Sequence, residues 1–471
     1  MTRHPLNRNT HPSGEFRGLH VLIMGLGRFG GGVAVSRWLT DQGAKLTVTD
    51  LSSAETLADS LSQIADLDAD LRLGGHDGVD PGDFDLVIVN PAVIKRRSDL
   101  FQRIELSKTP WTTEMNLFCL RCPAKVVGVT GSYGKSTTCA MLAGVLNAAV
   151  ENKTIPFRTV HLGGNIGRPL LSDLDRIHPR DLVVLEMSNA QLEDLPRIDW
   201  TPSIAAITNL WPHHLDRYDS ERDYYDAKIN IARTPSANAP LFVGDMHPRA
   251  QELINELVFD APGRLVRVVS PEEPIDLSVP GKHNRQNAAT VLTICKHLGI
   301  HEQFVRKKLR GFSGLPDRLE RVCSHSGVTF VNDSKSTAPT ATMMAVRAIR
   351  QSPQFAHGRL LAIVGGKRKN TDFSECATQL VDSCDWIICM GESAPIFEEA
   401  IKRAMRFRGS QDSARIQRVN TLEQAVVAAR QRAHQGDVVL FSPGAPSFDA
   451  YVNYAARGDH FRTLVKTLSS P

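Results

Sequence analysis

Short apolar runs, each closed by glycine, proline or an acidic residue, recur along the chain. Val21–Met24 runs into Gly25, Leu46–Thr49 into Asp50, and Leu86–Val89 into Asn90–Pro91. Runs of four or five apolar residues bounded by turn residues predict strands buried on both faces. Further along come Val126–Val129, Val183–Glu186, Ile204–Thr208 and Leu241–Val243. A last group comprises Val328–Val331, Leu360–Val364, Trp386–Met390 and Val438–Phe441. Helix-compatible segments lie between them, one ending near Leu39 and one over Cys139–Leu146. This alternation predicts an α/β protein with parallel sheets covered by helices, arranged in three blocks.

Length agrees with several domains, because 471 residues exceed what one core holds. The composition, 42% hydrophobic and 23% charged, is that of a soluble globular protein, and a net charge of +4 favours neither a nucleic-acid nor a membrane partner. The first 18 residues are polar and read as a disordered tail, without the apolar segment of a signal peptide. No run of about 18 apolar residues is present to span a membrane. The eight cysteines are scattered, and Cys119–Cys122 has no second pair at zinc-site spacing, so buried thiols in a reducing cytoplasm are expected.

Two glycine loops carry the chemistry. Strand Lys125–Val129 leads through Gly131-Ser132-Tyr133-Gly134 to Lys135-Ser136-Thr137. A strand, a glycine turn and a helix make an anion cradle of backbone N–H groups, with Lys135 reaching the outer phosphates of ATP and the Ser136 hydroxyl on Mg²⁺. The generic loop has glycine where Val129 stands, so the match is to a variant. Gly25-Leu26-Gly27-Arg28-Phe29-Gly30 follows an earlier strand, with Asp50 ending the next, and fits a dinucleotide fingerprint. Those glycines serve any nucleotide diphosphate, and a NAD-dependent oxidoreductase would leave the second loop without a role.

More segments occur in order: Gly163-Gly164-Asn165, Glu186-Met187-Ser188, His214-Leu215-Asp216-Arg217-Tyr218, Ala227-Lys228 and Asn284-Arg285-Gln286-Asn287. Then come Leu315-Pro316-Asp317-Arg318, Asn332-Asp333-Ser334-Lys335, Gly365-Gly366 and Ser442-Pro443-Gly444-Ala445-Pro446-Ser447-Phe448-Asp449. Together these resemble the Mur ligase family of peptidoglycan synthesis, in its order and spacing over roughly residues 20 to 468.

The resemblance implies three domains after the tail of residues 1–18. These are a Rossmann-like UDP-binding domain over 19–112, a P-loop ATPase-type domain over 113–313, and a Rossmann-like amino-acid-binding domain over 314–471. It implies ATP-driven amide formation through an acyl phosphate, with D-glutamate added to UDP-N-acetylmuramoyl-L-alanine by a cytoplasmic monomer. Gly25, Gly27, Arg28, Phe29, Asp50 and Asn90 would hold the UDP end of that substrate, and Asn165 and Ser188 its peptide end. Gly131, Ser132, Gly134, Lys135, Ser136, Thr137, Asn284, Asn287, Arg318 and Asp333 would bind ATP.

Ser136, Glu186, His214 and Lys228 would support two Mg²⁺ ions, and Lys135, Glu186, His214 and Lys228 would carry catalysis. By spacing alone Lys228 is a helical surface lysine. The resemblance makes it a carbamylated one, an anion able to support the metal. Lys335 and Thr337 would face the acyl acceptor and, with Lys369, Ser447, Phe448 and Tyr454, form the D-glutamate site.

The chain has Tyr133 where the family usually has Asn, His213 where it has Asp, and Asp317 where the D-glutamate branch often has His. A related ligase adding another amino acid is the nearest alternative. The C-terminal block lacks the Asp-Asn-Pro-Arg motif of the diamino-acid branch. A non-catalytic nucleotide-binding protein is a further reading.

Overall fold

A computed structural model describes residues 15–28, 30–212, 217–233, 239–352, 355, 357–368, 371–409 and 415–467. Phe29, His213, His214 and Lys369 lie outside the described residues. The chain forms two compact units, Met1–Glu272 with Gln286–Lys308, and Glu273–Arg285 with Leu309–Pro471.

The first unit holds two parallel sheets. One comprises β1 (His20–Met24), β2 (Lys45–Asp50), β3 (Ala69–Leu73), β4 (Leu86–Val89) and β5 (Trp111–Thr112), in the order β3-β2-β1-β4-β5. The other comprises β6 (Lys125–Thr130), β7 (Val160–Gly164), β8 (Leu182–Glu186), β9 (Ile204–Leu210), β10 (Leu241–Met246) and β11 (Leu265–Arg267), in the order β11-β10-β9-β6-β8-β7. Every pairing in these two sheets is parallel.

The second unit holds β12 (Glu320–His325), β13 (Val328–Asn332), β14 (Leu360–Gly365), β15 (Trp386–Met390), β16 (Ile416–Arg418) and β17 (Val438–Phe441), in the order β12-β13-β17-β14-β15-β16. Only the pairing of β12 with β13 is antiparallel in this sheet.

Alternate residues of a strand bury on opposite faces, which is why the central runs are apolar throughout. Val21 and Ile23 join one core, while Leu22 and Met24 join another on the far face. In the second unit Ala362 and Val364 face one core, and Leu361 and Ile363 the other.

The tail expected over residues 1–18 does not reach Glu15–Gly18. Phe16 is buried against Trp38, with ring centroids 5.3 Å apart, and the Arg121 guanidinium lies over both rings while pairing with Glu15 at 2.9 Å. One aromatic side chain with a core to enter outweighs the polar composition around it.

Candidate active site

In open parallel sheets, ligands lie at the carboxyl ends of strands where the strand order reverses. In the second sheet β6 is that strand, flanked by β8 and β9. Val129 is fully buried inside β6, so the loop starts later than the generic pattern and its first glycine is Gly131. Gly131 has φ +150, and a Cβ there would stand 2.1 Å from Thr208 Oγ1. Gly134 caps the helix Lys135–Glu151 with φ +79, and a Cβ there would stand 2.2 Å from Asn287 Oδ1. Only glycine fits at either place.

The loop is held by the end of β9 and by Tyr224. Thr208 Oγ1 and Asn209 Nδ2 donate to the Tyr133 carbonyl at 2.8 and 2.9 Å, and Tyr133 N donates to Asn209 Oδ1 at 2.9 Å. Ser132 Oγ donates to the Trp211 carbonyl at 2.8 Å and accepts from Trp211 N at 2.9 Å and from Tyr224 OH at 2.8 Å. The hydroxyl of Ser132, a residue expected at ATP, thus makes its bonds inside the protein. Lys135 Nζ donates to the carbonyl of Gly131 at 2.9 Å and of Ser132 at 3.3 Å, so the ammonium sits over the loop. Ser136 and Thr137 open the helix and are buried.

Glu186 ends β8 and is 1% exposed. Asn165, following β7, donates from Nδ2 to Glu186 Oε1 at 2.7 Å and from its backbone N to the Glu186 carbonyl at 2.9 Å. Glu186 Oε2 is buried with no hydrogen-bond partner among the described residues. A buried carboxylate oxygen left bare beside a phosphate-type loop fits a hard cation. Ser188, expected at the peptide end of substrate, forms a capping box with Gln191.

Lys228 lies on the helix Glu221–Ile229, and its expected surface position by spacing alone is wrong, for it is 1% exposed. Its Nζ lies 5.2 Å from the centroid of the Tyr224 ring. Burial, with the positive charge of Lys135 adding to it, pushes the Lys228 amine well below its ordinary pKa, and Glu186 acts in the opposite sense. Lys135, Glu186 and Lys228 thus form one electrostatic cluster. Asn287 is buried beside Gly134, and Asn284 donates to the Pro280 carbonyl at 2.6 Å.

In the first sheet, β1 carries the other glycine turn at its carboxyl end, between β2 and β4. Asp50 accepts from Gly27 N at 3.0 Å and from Ser52 N at 2.8 Å, and Asn90 Nδ2 donates to the Gly25 carbonyl at 3.0 Å. Asp50 at the end of β2 thereby braces the glycine turn. Gly30 caps the helix Gly31–Asp41, and Arg28 is exposed.

In the second unit, Asp333 follows β13 and is buried. Its Oδ1 accepts from Leu319 N at 3.1 Å, and its Oδ2 from Ser336 Oγ at 2.5 Å and Ser442 Oγ at 2.8 Å. Burial pushes its carboxyl up to about 6 against those hydrogen bonds. Lys335 Nζ lies 4.8 Å from the Tyr454 ring centroid, Thr337 is exposed, Ser447 is buried and Phe448 is half exposed.

Arg318 stands between Asp317 at φ 62 and Leu319 at φ 47. Asp317 is held by Asn332 Nδ2 at 2.8 Å and Arg462 at 2.9 Å. Sequence reasoning missed Arg457, a fully buried cation that donates to Ser334 Oγ and to the carbonyls of Ser334 and Ala445, at 3.1, 2.9 and 3.1 Å. It also missed Tyr224, whose partner is the Ser132 hydroxyl, which leaves no spacing signature.

The Mur ligase middle domain matches residues 129–262, and the Mur ligase glutamate ligase domain matches residues 317–445. UDP-N-acetylmuramoylalanine--D-glutamate ligase of Symbiobacterium thermophilum is 32% identical, covering 93% of this chain and 96% of its own. The protein of that name from Novosphingobium aromaticivorans is 33% identical over 97% of this chain and 96% of its own. Among solved structures, UDP-N-acetylmuramate-alanine ligase of Thermotoga maritima has the same fold at TM-score 0.59 and 19% identity, covering 96% of this chain and all of its own.

Proposed function

The chain belongs to the Mur ligase family, and on that premise we propose that it is the ATP-dependent ligase joining D-glutamate to UDP-N-acetylmuramoyl-L-alanine in peptidoglycan precursor synthesis. Its similarity to D-glutamate ligases along nearly the whole chain supports that substrate. The observation that carries the chemistry is the cluster of the half-buried Lys135 with the buried Glu186 and Lys228 at the carboxyl end of the second sheet.

In this reading the alanyl carboxylate attacks the γ-phosphorus of ATP. A P–O bond forms, the bond to ADP breaks, and an acyl phosphate results. The D-glutamate amine then adds to the acyl carbon. The tetrahedral adduct loses inorganic phosphate and the amine gives up its proton, leaving the amide. Both partners in the first step are anions, so positioning and charge neutralisation dominate catalysis.

Lys135, lifted from its loop carbonyls, pairs with the outer phosphates, and the N–H groups around Gly134 face them. Ser136 and the bare Glu186 Oε2 suit Mg²⁺, which when bound neutralises phosphate oxygens. Asn165 orients the Glu186 carboxylate. A neutral Lys228 amine adds to CO₂, forming an N–C bond and releasing a proton, and the resulting carbamate is an anion able to support the metal.

The glycine turn of the first sheet receives the UDP end. Lys335, Thr337, Ser447, Phe448 and Tyr454 of the second unit hold D-glutamate. His214, Phe29 and Lys369 keep their proposed roles at the metal, the UDP end and D-glutamate. The domain boundaries 19–112, 113–313 and 314–471 assign one of these tasks to each sheet. We place the enzyme in the cytoplasm as a monomer. No helix among the described residues is long and apolar enough to cross a membrane.

The test is phosphate release from ATP with UDP-N-acetylmuramoyl-L-alanine and each amino acid in turn. Release with D-glutamate is expected. Release only with L-alanine or a diamino acid would overturn the assignment.

A further inference from the structure

Within the first unit a clasp of charged groups joins the loop after β4 to segments that flank the phosphate loop. Arg217 Nε and Nη2 donate to the two oxygens of Glu193, both at 3.1 Å. The same guanidinium faces three consecutive carbonyls, Pro91 at 3.1 Å and Ala92 and Val93 at 3.5 Å. From the opposite side Lys95 pairs with Asp194 at 2.8 Å and Glu193 at 3.5 Å, and Arg96 reaches Asp219 and the Arg217 carbonyl. Tyr218 OH donates to Glu193 and accepts from Asn189 Nδ2 at 2.7 Å. Burial raises the Glu193 carboxyl, but Arg217, Tyr218 and Lys95 together hold it below the usual range. Arg217 and Glu193 are mostly shielded, at 15% and 24% side-chain exposure, so this is no ordinary surface pair.

The two ends of the clasp reach the two substrate sites. The clasped loop begins at Asn90, which bonds the Gly25 turn, and Asn189 opens the short helix that follows Glu186 and Ser188. We propose that Arg217 is a positioning residue. By fixing the loop Asn90–Arg97 against Glu193, it sets the reach of the substrate carboxylate from the UDP site to the γ-phosphate. This rests on the ligase reading above. The planar guanidinium is required, since a lysine ammonium cannot face three carbonyls and a carboxylate together.

The experiment compares wild type with Arg217→Lys and Arg217→Met, measuring kcat, KM for each substrate, and binding of ADP and of UDP-N-acetylmuramoyl-L-alanine alone. Misplacement of reacting groups by about 1 Å costs about 100-fold in rate, so kcat is expected to fall by about 10- to 100-fold. Binding of each ligand alone is expected to stay as in wild type. An unchanged kcat overturns the proposal, as does a loss explained by weaker ADP binding. If the Arg217 variants do not fold, Arg96→Gln serves instead, because its partner Asp219 is 76% exposed. A smaller fall in kcat is expected there, and none would also overturn it. A wild-type enzyme inactive with D-glutamate would count against the ligase reading, not against the clasp.

Discussion

Asn165 Nδ2 donates to Glu186 Oε1 at 2.7 Å, while Glu186 Oε2 stays buried without a partner. One oxygen is thus oriented by the protein and the other is left for a ligand. Glu186→Gln is expected to abolish D-glutamate-dependent phosphate release with the fold retained. Asn165→Ala, which removes only the orienting bond, is expected to raise the Mg²⁺ concentration for half-maximal rate by about 10- to 100-fold, as losses of such supporting groups do. A Mg²⁺ titration of initial rates checks both.

Lys228 is a lysine whose amine burial pushes well below its ordinary pKa. Its folded pKa lies below that of the unfolded chain, so between the two values the unfolded state binds the extra proton. Stability therefore rises with pH between the folded and the unfolded values, and charging the buried amine costs it. Lys228→Met is expected to be inactive yet to melt higher than CO₂-depleted wild type at neutral pH. Thermal unfolding with and without bicarbonate reads this, and added bicarbonate is expected to restore activity to the wild type alone. Short carboxylic acids are expected to return part of the activity to Lys228→Ala.

Asp333 shifts the other way. Its carboxyl is raised to about 6 from an ordinary 3.8, so between these values the folded state binds more protons than the unfolded. Its contribution is full below the unfolded pKa and is lost as pH rises through about 6. Asp333→Asn is expected to flatten the pH dependence of the melting temperature across that window, which a series of melts from pH 3.5 to 7 measures.

Near-full-length similarity to D-glutamate ligases, which use a sugar nucleotide, argues against a nicotinamide cofactor at the turn that Asp50 braces through the Gly27 N–H. A fluorescence titration with NADH is expected to show no binding, whereas UDP-N-acetylmuramoyl-L-alanine binds. Lys135→Ala is expected to lose ligation with wild-type affinity for that sugar nucleotide, because Lys135 stands on the second sheet, not the first.

Every strand legible in the sequence proved to be an interior one. Those missed, β3, β5, β7, β11, β12 and β16, are the six edges of the three sheets. An edge strand has one side open, so its residues need not all be apolar. Neither Glu320–His325 nor Leu265–Arg267 has a buried residue. Trp111–Thr112 is buried but two residues long, below what periodicity detects.

By itself the sequence determined the α/β alternation, the central strands and the phosphate loop, because burial on both faces and a glycine-only turn leave marks on neighbouring positions. Tertiary structure alone decided that Lys228 is buried, that Asn165 turns to Glu186, and that Arg217 meets Glu193 and the carbonyls after Asn90. The physical reason lies in the strand order. Placing β6 between β8 and β9 brings distant segments to the carboxyl ends of those strands, where they meet through side-chain and carbonyl contacts that no local spacing records.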